Sequence, residues 1–72
     1  MTQIQIHSEY ITLGQFLKLA NAIGSGGEAK DYLGAYMPSV NGEPDNRRGR
    51  KLRAGDTVVL PEIGEFEVVS AE

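Results

Sequence analysis

The sequence predicts an α+β fold in which two packed N-terminal helices lie on a small, mostly antiparallel β-sheet. Three observations carry this expectation. Apolar residues recur at helical spacing in two successive stretches between Thr12 and Tyr36, and a capping signature precedes each stretch. From Ser39 onward the pattern changes to short alternating runs separated by turn residues. A chain of 72 residues is expected to form a single domain over 1–72. At this size folding buries only about 60% of the unfolded surface, so the core must be small.

The opening "QIQI" alternates polar and apolar with a period of two, which suits a short edge strand with Ile4 and Ile6 on one face. Leu13, Phe16, Leu17, Ala20 and Ile23 then follow the spacing of one buried helical stripe. Thr12 and Gln15 form a capping box at its start, and Gly24 stands where a left-handed residue would end it. Ser25 and Glu28 repeat the capping signature, and Ala29, Tyr32, Leu33 and Tyr36 trace a second stripe. A second helix is therefore expected from about Gly26 to Gly34 or Ala35, and the short link forces the two helices to pack together. Pro38 then stops the helical pattern and biases Met37 towards an extended backbone.

In the second half, Asn41-Gly42 marks a tight turn led into by Val40, and "AGD" at 54–56 marks another. "TVVL", "PEIG" and "EFEVV" read as a terminal hairpin, with Phe66 and Val68 on its buried face and Glu65 and Glu67 on its wet face.

Charge is distributed unevenly. The net charge is -3, yet "NRRGRKLR" at 46–53 holds Arg47, Arg48, Arg50, Lys51 and Arg53 without a single acid. The remaining two Lys stand against ten acids, so a +5 segment sits on a -8 body. Local potential can draw in a polyanion even when net charge opposes it. Arginine outnumbers lysine four to one in the run, and its planar fork binds a phosphate through two hydrogen bonds. Gly49 is expected to turn the chain so that the charges project on one side, with Leu52 anchoring the loop to the core.

Four linked motifs give this arrangement a relative. They are "TLGQFL" at the first helix start, "GGEAK" at the second, "VNGE", and "RRGRKL" followed by "GD". In this order and spacing, over residues 11–60, the chain resembles the RNA-binding domain family named after ribosomal small-subunit protein four, also called the alpha-L motif. The likeness is greatest to its stand-alone small bacterial members of the YaaA and YbcJ type. The resemblance implies binding to structured RNA, ribosomal RNA first and transfer RNA second, with ribosomal proteins as further partners. It also implies a cytoplasmic, non-catalytic protein that acts in ribosome assembly or translation without a cofactor. Carried over by position, the binding surface comprises Gln15 and Lys18 on the first helix, Ser25, Gly26, Gly27 and Lys30 at the start of the second, and Asn46, Arg47, Arg48, Arg50, Lys51 and Arg53 in the loop. Two departures from the family pattern bear on this. Gly26 or Gly27 replaces a common arginine, which weakens the case for base-specific contact there, and Pro38 replaces an apolar strand residue, which implies a shortened strand.

Helical geometry agrees with the surface so drawn. At about 100° per residue, Gln15 and Lys18 lie roughly 60° apart and point away from the apolar stripe. Lys30 sits near a helix start, where the positive dipole end favours phosphate, and Gly26 and Gly27 leave room for a backbone to approach. Tyr32, Tyr36, Phe16 and Phe66 are all expected in the core, which disfavours a single-strand binder built on stacking; Tyr10 is the aromatic without a core position.

Other functions find little support. His7 is the single histidine and is expected on the surface, there is no Cys, and no Ser/His/Asp order or metal-ligand spacing occurs. The glycines do not form a GxxxxGK[ST] loop, so no small-molecule substrate is expected. No apolar run approaches the roughly 20 residues of a membrane span. Two other readings fit the charge: a protein-interaction module that docks its basic loop on an acidic partner, and a DNA-binding accessory protein.

Overall fold

The computed structural model describes residues 1–71. Its elements run β1 (Thr2–Ile6), β2 (Ile11–Thr12), α1 (Leu13–Leu19), a 3-10 turn (Gly26–Glu28) that leads into α2 (Ala29–Ala35), then β3 (Ser39–Val40), β4 (Glu43–Pro44), β5 (Lys51–Leu52), β6 (Thr57–Leu60) and β7 (Gly64–Ser70). Five strands form a sheet in the order β1-β7-β6-β3-β4, antiparallel except where β1 runs parallel to β7. The α+β class and the mostly antiparallel sheet are as expected. A separate ladder, β2 against β5, was not expected from the pattern, because two-residue strands carry no periodicity.

The period of two decides which face is wet. Ile4 and Ile6 of β1 share a face with Phe66 and Val68 of β7 and with Val58 and Leu60 of β6, and that face meets the helices. Leu13, Phe16 and Leu17 of α1 and Ala29, Tyr32 and Leu33 of α2 complete one apolar cluster. Phe16 stands edge-on to Phe66, with ring centroids 5.6 Å apart and planes at 87°, the arrangement that aromatic quadrupoles favour. Asn41 and Gly42, at φ 52° and 85°, form the two-residue turn joining β3 to β4. Pro38 is fully buried and β3 is only two residues long, in keeping with the shortened strand expected there.

Three local expectations need correction. First, α1 ends at Leu19 and not near Gly24, because the left-handed residue is Asn21 at φ 63°. The Asn21 N–H donates to the Lys18 carbonyl and the Ala22 N–H to the Leu17 carbonyl, the paired bonds that close a helix on a left-handed residue. Second, Ser25 and Glu28 do not form a capping box. The Ser25 side chain makes no cap, and the Glu28 carboxylate reaches past it to accept the Gly24 N–H at 2.7 Å. The segment begins with a 3-10 turn at Gly26–Glu28 in place of a regular first α-turn. Third, Tyr36 is exposed, since the helix stops at Ala35 and Tyr36 takes an extended backbone outside the stripe.

The left-handed position gives a direct check. Asn21→Ala should cost about 1 kcal/mol of stability, because alanine lacks asparagine's tolerance of that region. Gly24→Ala should change stability by less than about 0.5 kcal/mol, since its new Cβ would meet the Glu28 carboxylate only at an ordinary 3.6 Å. Denaturant unfolding of the two variants measures both.

Candidate nucleic-acid interface

The first four N–H groups of any helix lack partners within the helix, and in α1 all four are taken. Thr12 and Gln15 satisfy two of them through the expected capping box: the Gln15 N–H donates to Thr12 Oγ1, and the Thr12 N–H donates to Gln15 Oε1. The basic loop takes the other two with its own backbone. The Leu13 N–H donates to the Arg50 carbonyl at 2.7 Å, and the Gly14 N–H to the Arg48 carbonyl at 3.0 Å. β2 and β5 continue the same seam, pairing Thr12 with Lys51 and Ile11 with the fully buried Leu52. The loop is thus clamped along the start of α1.

Gly14 makes that approach possible. A Cβ at this position would lie 2.8 Å from Arg48 Cγ, closer than real side chains tolerate, with the Arg48 carbonyl oxygen in contact at 3.4 Å. A glycine inside a helix costs roughly 1 kcal/mol relative to alanine, and here the cost is offset by backbone contact with the loop.

Two acids bracket the run and hold its ends. Asp45 accepts from the Arg47 N–H at 2.9 Å, from Arg47 Nε at 3.1 Å and from Arg47 Nη2 at 2.8 Å, while Arg50 Nη1 lies 3.7 Å away. The guanidinium hydrogen bonds from Arg47 hold the Asp45 carboxyl at about 2, well below its usual 3.8. At the other end Asp56 accepts from the Arg53 N–H at 2.8 Å and from Asn41 Nδ2 at 3.1 Å, welding the 54–56 turn to the Asn41-Gly42 turn.

The structure brings most of the sequence-predicted residues around the clamped loop. Between α1, the 3-10 turn and the loop lies a hollow lined by Gln15, Lys18, Gly26, Arg48 and Gly49 together with Thr12, Gly14 and Ala29. Arg48 also lines the adjoining hollow with Lys30 and Asn46. Arg47, Arg50, Lys51 and Arg53 face the other flank, around a hollow shared with Asp56. The charges therefore do not all project on one side as expected: Arg48 turns towards the helices and four cations turn away. Ser25 and Gly27 are exposed but line none of these three hollows.

The electrostatics of the two flanks differ. Arg48, Lys18 and Lys30 form no ion pair among the described residues and no acid lines their hollows, so their charge is unneutralised. Arg47 and Arg50 are partly neutralised by Asp45. At the start of the second helical segment the Gly24 N–H already holds the Glu28 carboxylate, so a phosphate there would have to compete with it. Gly26 needs no left-handed backbone and has nothing within 4 Å of a would-be Cβ, so its bareness serves no packing purpose beside the hollow.

Gly14, Asp45 and Asp56 are residues to which sequence reasoning gave no part in the site, and Tyr10 was marked only as the aromatic without a core position. Gly14 carried a usable signal, an isolated glycine in the first turn of an otherwise well-formed helix. Asp45 and Asp56 adjoin the basic run and could have been read as its clasps. Tyr10 lies under two of the cations, with Lys51 Nζ 4.9 Å and Arg53 Cζ 5.7 Å from its ring centroid. Among the described residues no cluster of His, Cys, Asp or Glu could hold a metal ion, and no helix is long and apolar enough to cross a membrane.

Comparison with known proteins bears on this geometry. The family model described as the S4 domain matches residues 4–69. The chain is also 58% identical over 67 residues to the "Probable ribosome maturation protein RlbA" of Bacillus subtilis (strain 168), an alignment that covers 93% of this chain and 94% of that protein.

Two outcomes test the clamp. Gly14→Val should destabilise the fold by about 1–3 kcal/mol through overpacking, and should speed hydrogen exchange at the Leu13 amide as the loop is pushed off. For Asp45, the folded carboxyl is lowered, so its contribution to stability is present above the ordinary value of 3.8 and is lost as pH falls towards about 2. Unfolding measured between those limits should show a stability loss in the native chain that is reduced in Asp45→Asn.

Proposed function

The chain belongs to the S4 domain family, and on that premise we propose that it binds structured RNA, ribosomal RNA first, as a non-catalytic factor in ribosome maturation. The observation that carries the proposal is the clamped loop. It sets Arg48 beside Gln15, Lys18 and Gly26 on one concave flank, with Lys30 and Asn46 continuing that flank, and no acid lines these hollows. Arg47, Arg50, Lys51 and Arg53 extend the positive surface round the loop. The relative's name supports the ribosomal reading, because it covers nearly the same length. Transfer RNA remains the second ligand of the same chemistry, and the cytoplasm is where either would be met.

The physics of the surface limits what it reads. A-form RNA hides its base edges in a deep, narrow groove and presents phosphates and 2′-hydroxyls instead. A small rigid patch whose backbone is fixed by hydrogen bonds suits the spacing of phosphates better than it suits a base sequence. The acidic remainder of the chain repels a polyanion elsewhere, so only a ligand that fits the concave flank gains enough contact to stay.

If about four cations meet phosphates, log affinity should fall against log salt with a slope of about -3 to -4. Lys18→Glu combined with Arg48→Glu should weaken binding to a ribosomal RNA fragment at least tenfold and flatten that slope by about 2, because each phosphate contact contributes roughly one unit. Neither residue makes an ion pair among the described residues, so the fold should persist. Filter binding at several salt concentrations measures both effects; undiminished affinity in the double variant would contradict the proposal.

A further inference from the structure

Tyr10 is not used by the surface described so far. The residue is 39% exposed, outside the apolar cluster, immediately before the β2–β5 ladder. The backbone beneath it is held on both sides: Ser8 Oγ donates to the Tyr10 carbonyl at 2.8 Å, and the next residue, Ile11, pairs with Leu52. Lys51 Nζ and Arg53 Cζ stand 4.9 Å and 5.7 Å from the ring centroid, and both side chains also line the hollow on the outer flank of the loop. The other exposed large aromatic, Tyr36, lies against Tyr32 with centroids 4.9 Å apart and has no cation over its ring among the described residues. Tyr10 is thus the aromatic that combines open surface, a fixed backbone and adjacent positive charge.

We infer that Tyr10, Lys51 and Arg53 form a seat for one unpaired nucleotide, the ring stacking on the base and the two cations holding the adjoining phosphates. The inference rests on the RNA-binding reading above and deepens it by naming the ligand class: an RNA helix interrupted by a bulged or flipped-out nucleotide. Every base has a π-face, so stacking of this kind is tolerant of sequence; the base takes the ring face that Lys51 and Arg53 leave uncovered, and the two cations supply the attraction for the phosphates. Bases inside a regular A-form helix are stacked on one another and cannot reach the ring; only an unpaired base can. A single platform cannot grip a run of single strand, which separates this seat from the multi-aromatic surfaces of single-strand binders. The plainer role of Tyr10, covering the stems of Lys51 and Arg53, predicts no preference between paired and bulged RNA.

The test uses the full chain and two RNAs, a perfect duplex and the same duplex carrying one bulged 2-aminopurine. The native chain should prefer the bulged duplex by about fivefold or more, the lower end of what one stacked base contributes, and should quench the 2-aminopurine fluorescence. Tyr10→Phe should keep both the preference and the quenching. Tyr10→Leu should bring the ratio of the two affinities to about one and abolish the quenching, whatever happens to the affinity for the plain duplex, with circular dichroism confirming that it folds. Equal binding of both RNAs by the native chain, or a preference that survives in Tyr10→Leu, overturns the inference alone. Failure to bind either RNA overturns the RNA-binding reading and the inference with it.

Discussion

The candidate surface depends on how the start of α1 is satisfied. A helix begins with donors that need acceptors, and here two of the four acceptors are the carbonyls of Arg48 and Arg50. The other two come from the reciprocal Thr12 and Gln15 cap. A highly charged loop far from the helix in sequence is thereby fixed against it without using any of its charged ends. Because backbone makes the clamp, the charged ends remain available to the surface: Arg48 lines the hollow against the helices and Lys51 lines the outer flank. Gly14 is the steric condition for the clamp, since any larger residue would collide with Arg48.

Fixing the loop in advance matters for a surface of this kind. Five cations on a mobile loop would each lose conformational freedom on binding, at roughly 0.5–1.5 kcal/mol per ordered side chain. Holding the backbone at both ends and along α1 removes part of that cost beforehand. Asp45 acts in the same direction on Arg47 and Arg50 while lowering their net charge. The loop is therefore divided: a flank against the helices with unneutralised charge, and an outer flank whose charge is tempered by Asp45 and Asp56.

Much of this was readable from the sequence, and the exceptions have physical causes. The two amphipathic stripes, the Thr12 cap, the Asn41-Gly42 turn and the terminal hairpin are local signals, set by period and turn chemistry, and the structure contains them. The errors lie where two local signals compete. Gly24 looked like the helix stop, but Asn21 reaches the left-handed region first; Glu28 looked like a cap partner for Ser25, but the Gly24 N–H was in reach. The pairing of β2 with β5 and the seam on α1 join residues about forty positions apart and leave no periodic trace. They decide that Arg48 faces the helices while its neighbours face away, which charge counting could not. Ser25, Gly26 and Gly27 came to the surface together by the family resemblance, and of the three Gly26 lines the hollow.

The central claim is that the clamped loop and the exposed side of α1 act as one surface for RNA. Titrating the isotopically labelled chain with a helical ribosomal RNA fragment and following its amide resonances tests this most directly. Gln15, Lys18, Gly26, Lys30 and Arg48 should shift together, with a single concentration dependence. Shifts confined to residues 46–53, or appearing on the outer sheet face at Val59 and Glu65, would contradict it.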